Sequence, residues 1–488
     1  VLTLLIAIPI VAAIAVLLGA PARKFSLAAA FANLLITLGL LFRYDPGAGG
    51  VQFQCVIPLV PEWGLQYFVG ADGLSLLLLL LTAVVTVAAL WVAPKVEKRE
   101  GLYFACLLFI AAGATGAFAS FDLFFFYAFH ELALIPTFLL IGIWGSGDRM
   151  AAAWKVTIYL ALGSMVLLVG LLSLYVSIPA DLRTFDLIRL QGLAGQGAIP
   201  QTGWIYLLLL IGFGILISLF PFHSWAPHAY ASAPAPAAML HAGVLKKFGL
   251  YGLLRVALPL MPEAAQGWTH LLLILLMGNI LYIGLVTIAQ KHLDWMIGYS
   301  SVMHMGYIFL GIAAFNVLGI NGAALLIFAH GLSVAALFAI TGEIRQRTGT
   351  LELSQLGGLA KPLPFLGFTF GIATFASIGL PGLGNFAGEL LIFFGAFAHA
   401  GPGLEFSTFQ IATIVALWGV VISAVYMLRA YRAVFMGEPR PRWNTLTDLS
   451  PCLRPALILL LAVLVFTGFR PQFFVNLVKP TVTALIAK

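Results

Sequence analysis

The sequence predicts an all-α polytopic membrane protein of about fourteen transmembrane helices, with two inverted five-helix repeats that each contain a broken helix. Three observations carry this expectation. Hydrophobic residues make up 62% of the chain and charged residues only 9%, with a mean hydropathy of +1.05, far from the balance of a water-soluble domain. Apolar runs of about 20 residues, the length that crosses a hydrocarbon core, recur from end to end. Two runs are interrupted by Pro and Gly clusters and then carry ionisable side chains.

The expected spans lie near 1–19, 26–42, 73–93, 101–119, 121–145, 152–178, 204–222, 232–260, 269–289, 297–316, 321–343, 365–398, 408–436 and 455–474. The first, VLTLLIAIPIVAAIAVLLG, lacks the basic opening of a secretory signal and reads as a span. The organisation expected is 1–100 for three N-terminal helices, 101–260 and 261–436 for two bundles (helices 4–8 and 9–13), and 437–488 for a loop and helix 14. Neither long loop, 43–72 or 179–203, reads as a separate domain.

Charge sets the orientation. Loops after odd-numbered spans hold thirteen Lys and Arg residues, among them Arg23, Lys95, Arg149, Lys291, Arg345 and Arg440. Inter-span loops after even-numbered spans hold three, Arg43, Arg183 and Arg189. The positive-inside rule then places the odd loops in the cytoplasm and both termini outside. The net charge of +7 is accordingly a topology signal and not a nucleic-acid footprint. The expected surroundings are the lipid bilayer.

Other chemistry fits poorly. Cys55, Cys106 and Cys452 stand far apart without ligand spacing, so no metal site is expected and apolar packing is their predicted role. His228 and His241 are separated by Pro234 and Pro236, which argues against a haem-binding helix. No Gly-rich phosphate loop occurs between strand and helix. No cofactor is expected in this chain.

The breaks are PFHSWAPHAYASAPAP, residues 221–236, and the opening of GLPGLGNFAGELLIFFG, residues 379–395. Lys246 and Lys247 follow the first and Glu389 follows the second. A charge at the bilayer centre costs about 2.5–3.5 kcal/mol on insertion scales, so such groups face the bundle interior and mark function. Glu131, beside His130, lies mid-span in the fifth run, and His304 and His330 lie within successive spans. Glu131, Lys247, His304, His330 and Glu389 are all of types that burial pushes toward titration near neutral pH, so they are expected to exchange protons and, linked by water, to form a relay. His130, Lys155, His241 and Lys246 are possible auxiliaries, with Lys155 placed to snorkel. Adjacent on one helix, Lys246 and Lys247 point about 100° apart, so one alone is expected to be central. Arg255 and Arg429 read as anchors at helix ends.

Six motifs carry a resemblance: HELALIPTFLLIGIWG, FPFHSWAPHAYASAP, AGVLKKFGLYGLLR, MIGYSSVMHMGY, AHGLSVAALF and GLPGLGNFAGELLIFFGAF, from about residue 120 to 398. The sequence resembles the antiporter-like membrane subunits of proton-pumping NADH:quinone oxidoreductase, respiratory complex I, most closely the M-type branch (the counterpart of mitochondrial subunit 4), as a divergent copy. The resemblance implies a proton-translocating subunit without a redox centre, working beside L-type and N-type subunits and the lateral helix of the L-type subunit. It implies Glu131 as the fifth-helix glutamate, Lys247 as the eighth-helix lysine, His304 and His330 as connecting histidines, and Glu389 as the acid toward the outer exit.

Two positions depart from the pattern. The family's seventh-helix lysine, partner of the fifth-helix glutamate, is Leu216 here, and no lysine occurs between Lys155 and Lys246. His130 or His241 is expected to replace its charge in part. Asp294 stands where a basic residue is common, with Lys291 nearby. Two rivals share most of these features: an Mrp-type cation/proton antiporter subunit, and a structural spacer that no longer pumps.

Overall fold

The computed structural model describes residues 1–400 and 405–486. Residues 401–404 of the expected second bundle and 487–488 of the C-terminal segment lie outside the described residues. The first four helices are α1 (Leu2–Leu17), α2 (Ala22–Arg43), α3 (Gly73–Trp91) and α4 (Glu100–Ala119). The fifth span runs as α5 (Leu123–Glu131) and α6 (Leu134–Trp144), and the sixth as α7 (Arg149–Ser177). Polar N-caps set the starts. The Asp72 carboxylate accepts from Ser75 N (3.0 Å), and Asp122 accepts from Phe124 N (2.9 Å), each satisfying an amide that has no partner inside its helix.

After the short α8 (Leu187–Gly195), the seventh span is α9 (Gly203–Ile217), followed by α10 (Trp225–Ser232) in the break. The eighth span joins α11 (Ala235–Leu240), α12 (Lys247–Gly252) and α13 (Leu258–Leu260) through π-helical turns at His241–Leu245 and Leu253–Ala257. Next come α14 (Pro262–Gly267) and a ninth span of α15 (Thr269–Met277) and α16 (Gly284–Ala289), joined by a third π segment, Gly278–Ile283. The rest are α17 (Leu293–Ala313), α18 (Val317–Thr348), the broken pair α19 (Pro364–Ile378) and α20 (Gly384–Phe397), then α21 (Thr408–Phe435), α22 (Arg454–Phe469) and α23 (Pro471–Ile486).

Among the described residues, nine stretches are long and apolar enough to span a bilayer, and the other expected spans run in shorter helices. The most apolar stretches of α3 and α18 are wholly buried, which makes these two helices the core of the molecule. Glycine permits the closest approach: a Cβ on Gly388 of α20 would stand 2.7 Å from Leu326 N of α18.

The loop 43–72 contains an antiparallel hairpin, β1 (Gln52–Val60) with β2 (Leu65–Ala71). Three expectations need correction. The last span stops at Phe469, not 474, because Pro471 opens a new helix: α23 leaves α22 at 77° and packs back on α3 and α18. Only Cys106 is buried; Cys55 is partly buried in the hairpin and Cys452 is exposed. Arg255 is no interfacial anchor, being 2% exposed and bound through both terminal nitrogens to Asp72 (2.6 and 2.7 Å). Tyr251 and Ser75 complete that cluster. Arg429 does sit at its helix end, donating to the Gln290 carbonyl at 2.7 Å.

Candidate functional site

Both breaks bring helix ends into the interior of the bundle, where a backbone carbonyl or amide without a helical partner must find another. At the first, α9 stops at Ile217 with Ser218 in the left-handed region. Asn279, in the π segment of the ninth span, donates to the Ser218 carbonyl (3.1 Å) and accepts from Phe220 N (2.8 Å), while Trp225 Nε1 donates to the Ile215 carbonyl (3.0 Å). At the second, α19 stops at Ile378 and Gly379 turns with φ +82°, a conformation open to glycine. Here the Ser377 carbonyl meets His304 Nε2 at 2.8 Å. One break is closed by a neutral amide and an indole, the other by a titratable ring.

His304 Nδ1 faces a second carbonyl, that of Ser300, also at 2.8 Å. A neutral imidazole donates from one nitrogen only, so this seat is complete only for an imidazolium. His304 lies 5.5 Å, centre to centre, from His330, and His330 Nδ1 lies 2.8 Å from Lys247 Nζ. Lys247 is fully buried, its other near neighbour being Met305 Sδ at 3.9 Å. Beyond the break, the Glu389 carboxylate rests against Gly379, so that any Cβ there would strike it. Tyr307 packs edge-on against His304 (5.8 Å), and Tyr426 donates to or accepts from Ser300 Oγ at 2.8 Å. Lys247, His330 and His304 therefore form one buried line that ends at the second break, where Glu389 is also buried.

Glu131 stands apart from that group. It ends α5, its side chain is 32% exposed, and its carboxylate accepts from Ser164 Oγ. Ser164 also meets Tyr127 OH (3.1 Å), and His130 Nδ1 lies 3.4 Å from the carboxylate. His130 is the link inward, because its ring stacks at 4.1 Å on Phe248, the residue after Lys247. His241 does not touch Glu131; both its ring nitrogens are buried without a hydrogen-bond partner, and its ring abuts Trp225 and Tyr230. Lys155 is half-buried on α7. Leu216 is buried against Gly163, next to Ser164.

Both of the adjacent lysines are interior. Lys246 is 2% exposed and Lys247 is 0% exposed, and they face different neighbours: Lys246 Nζ donates to the Ser301 carbonyl (3.4 Å) and lies 5.8 Å from the Tyr230 ring centre. The π turn at His241–Leu245 re-aims the side chains just before them. Asp294 pairs not with Lys291 but with Arg345 of α18. Ser164, Tyr127, Ser377 and Asn279 were not legible beforehand, since hydroxyl, amide and carbonyl groups in apolar runs carry no signal without the fold.

Leu216→Lys brings an ammonium toward Ser164 and Glu131. NADH-driven acidification by membrane vesicles is expected to change about threefold or more, in line with a new buried charge pair. Unchanged acidification would show that the missing lysine is immaterial here.

Two discontinuous helices around a buried lysine, histidine and glutamate group define a polytopic, ion-translocating class of membrane protein. Within that class the chain belongs to the NADH:quinone oxidoreductase/Mrp antiporter transmembrane family, whose model matches residues 120–415. It is 35% identical over 483 residues to the NADH-quinone oxidoreductase subunit M of Rhodobacter capsulatus, covering 95% of this chain and 90% of that one. It is 34% identical to the NAD(P)H-quinone oxidoreductase chain 4 of Gloeobacter violaceus, over 99% of this chain and 92% of that one. Among solved structures, a chain of respiratory complex I from Thermus thermophilus with bound NADH matches at TM-score 0.89 and 29% identity, over 100% and 99% of the two chains. A chain of the Mrp complex from Dietzia sp. shares the fold at TM-score 0.86 and 21% identity, over 99% of this chain and 97% of that one.

Proposed function

We propose that this chain is the M-type proton-translocating subunit of the membrane arm of a bacterial NADH:quinone oxidoreductase, and that it has no redox centre of its own. The observation that carries this reading is the Lys247–His330 contact of 2.8 Å, within the reach of direct proton transfer, continued by His304 to the break beside Glu389. Electron transfer elsewhere in the complex changes hydration and charge along the arm. Lys247 then gives its proton to His330, His304 holds it between two carbonyls, and Glu389 takes it toward the outside.

Glu131, supported by Ser164 and His130, faces the neighbouring subunit and passes the change of charge laterally. The partners in this reading are L-type and N-type antiporter-like subunits and the lateral helix of the L-type subunit. The chain lies in the inner membrane with its basic loops in the cytoplasm and both termini outside. The bundles 101–260 and 261–436 act as two inverted halves, one around each break. Leu216 favours a second reading, a spacer that does not pump, because it removes the usual partner of Glu131. Replacing Glu389 by Gln tests the choice: loss of coupled acidification supports pumping, and parental acidification favours the spacer.

A further inference from the structure

On the face that carries the basic loops, a cavity of about 230 Å³ is lined by Tyr230, Pro234, Ala238, Asp294, Phe338 and Arg345. A second cavity of about 500 Å³ on the same face shares Ser146, Ser232, Asp294 and Arg345 with it. The Asp294–Arg345 ion pair is thus the wall between them. Arg345 also holds Ser146 Oγ (2.7 Å) and the Ala231 carbonyl (3.2 Å), so it ties together the loop after α6, the end of α10 and the start of α17.

Polar groups without partners lead inward from the smaller cavity. Tyr230 OH, both nitrogens of His241 and Ser301 Oγ are buried and make no hydrogen bond, although such atoms cost about 1–3 kcal/mol each when left unsatisfied. They surround Lys246: its ammonium nitrogen is 5.8 Å from the Tyr230 ring centre and 3.4 Å from the Ser301 carbonyl, and the Tyr230 and His241 rings are 5.7 Å apart. A cluster of unpaired donors and acceptors beside a cavity is a place where water and a mobile proton are held.

We propose that Lys246 is a second proton-carrying amine, filled from the basic face through the cavity behind Asp294–Arg345, and that it loads Lys247. The proposal rests on the pumping function above. The step moves protons only. A proton taken up from the bulk on the basic face passes along the cavity water as an excess proton. An O–H bond of that protonated water breaks as an N–H bond forms on the neutral Lys246 amine, leaving neutral water behind, and Lys246 then passes a proton to the neutral Lys247 amine. The ion pair separates the loading site from the outer cavity, and Tyr230 and His241 supply the polar lining between.

The test combines activity with access in the assembled complex. In inverted vesicles, Lys246→Leu is expected to lower NADH-driven acidification about fivefold or more, while Lys246→His, which keeps a titratable nitrogen, retains more than Lys246→Leu. In a background with Cys55→Ser, Cys106→Ala and Cys452→Ser, Ala238→Cys is expected to react with a membrane-impermeant thiol reagent in inverted but not right-side-out vesicles. Asp294→Asn is expected to speed that labelling. Parental acidification by Lys246→Leu alongside a failing Lys247→Leu control overturns the proposal, as does Ala238→Cys that labels from neither side. If Lys247→Leu also pumps at the parental rate, the pumping function itself falls, and the loading role of Lys246 with it.

Discussion

Replacing Lys247 with leucine is expected to reduce NADH-driven acidification about a hundredfold, the lower range of what a positioned proton donor contributes, with the amount of assembled complex near the parental level. Lys247 is fully buried and its single short polar contact is His330 Nδ1. Leucine occupies a similar volume and needs no partner, so the fold loses little. Removing an isolated buried amine also removes the cost of holding it, and the variant is not expected to unfold. What disappears is the donor that feeds His330 and, through it, the His304 seat between the Ser300 and Ser377 carbonyls. The measurement is acidification per assembled complex in inverted vesicles. A loss of assembly in proportion to activity would make Lys247 structural.

The second large effect is opposite in kind. Arg255→Leu is expected to cost about 3–5 kcal/mol of stability, because it leaves the Asp72 carboxylate buried without its cation. Asp72 caps α3, one of the two core helices, and Arg255 reaches it from the π turn of the eighth span. Tyr251 ties the cluster to the Phe118 carbonyl at the end of α4 (3.2 Å). Loss of the cation loosens three helices where they meet. The expected result is a marked fall in assembled complex and in its thermal midpoint, with residual activity per surviving complex close to parental. Normal assembly would show that water reaches Asp72 and replaces the guanidinium.

The contrast between Lys247 and Arg255 shows what the sequence could convey. Apolar runs of span length, breaker clusters at 221–236 and 379–384, and ionisable residues inside spans are local signals, and each has its counterpart in the structure. The buried basic and acidic residues after each break were legible because burying them is costly enough to need a reason. Pairing is not local. Asp72 and Arg255 lie 183 positions apart, so nothing in either run shows that one neutralises the other, and Arg255 passed for an anchor. Asp294 has Lys291 three residues away in the sequence, whereas its partner comes from the far end of α18.

Lys246 shows a different limit of a local reading. The 100° spacing of adjacent residues correctly separates the two side chains, but it does not say that both sides of the helix are interior. The eighth span is buried all round, which only packing reveals. The turn at Pro471 was readable, yet Phe473 and Phe474 extended the apolar run past it and concealed the bend between α22 and α23.

The most direct measurement is NADH-driven acidification of inverted vesicles carrying Glu389→Gln in sodium-free buffer, with NADH oxidation and assembled complex followed in the same samples. Glutamine is nearly isosteric beside Gly379 and cannot carry the proton. Parental vesicles are expected to acidify without sodium, and the variant is expected to lose acidification and oxidation together, about a hundredfold, at normal assembly. Parental levels of both in Glu389→Gln would contradict a proton path through the second break.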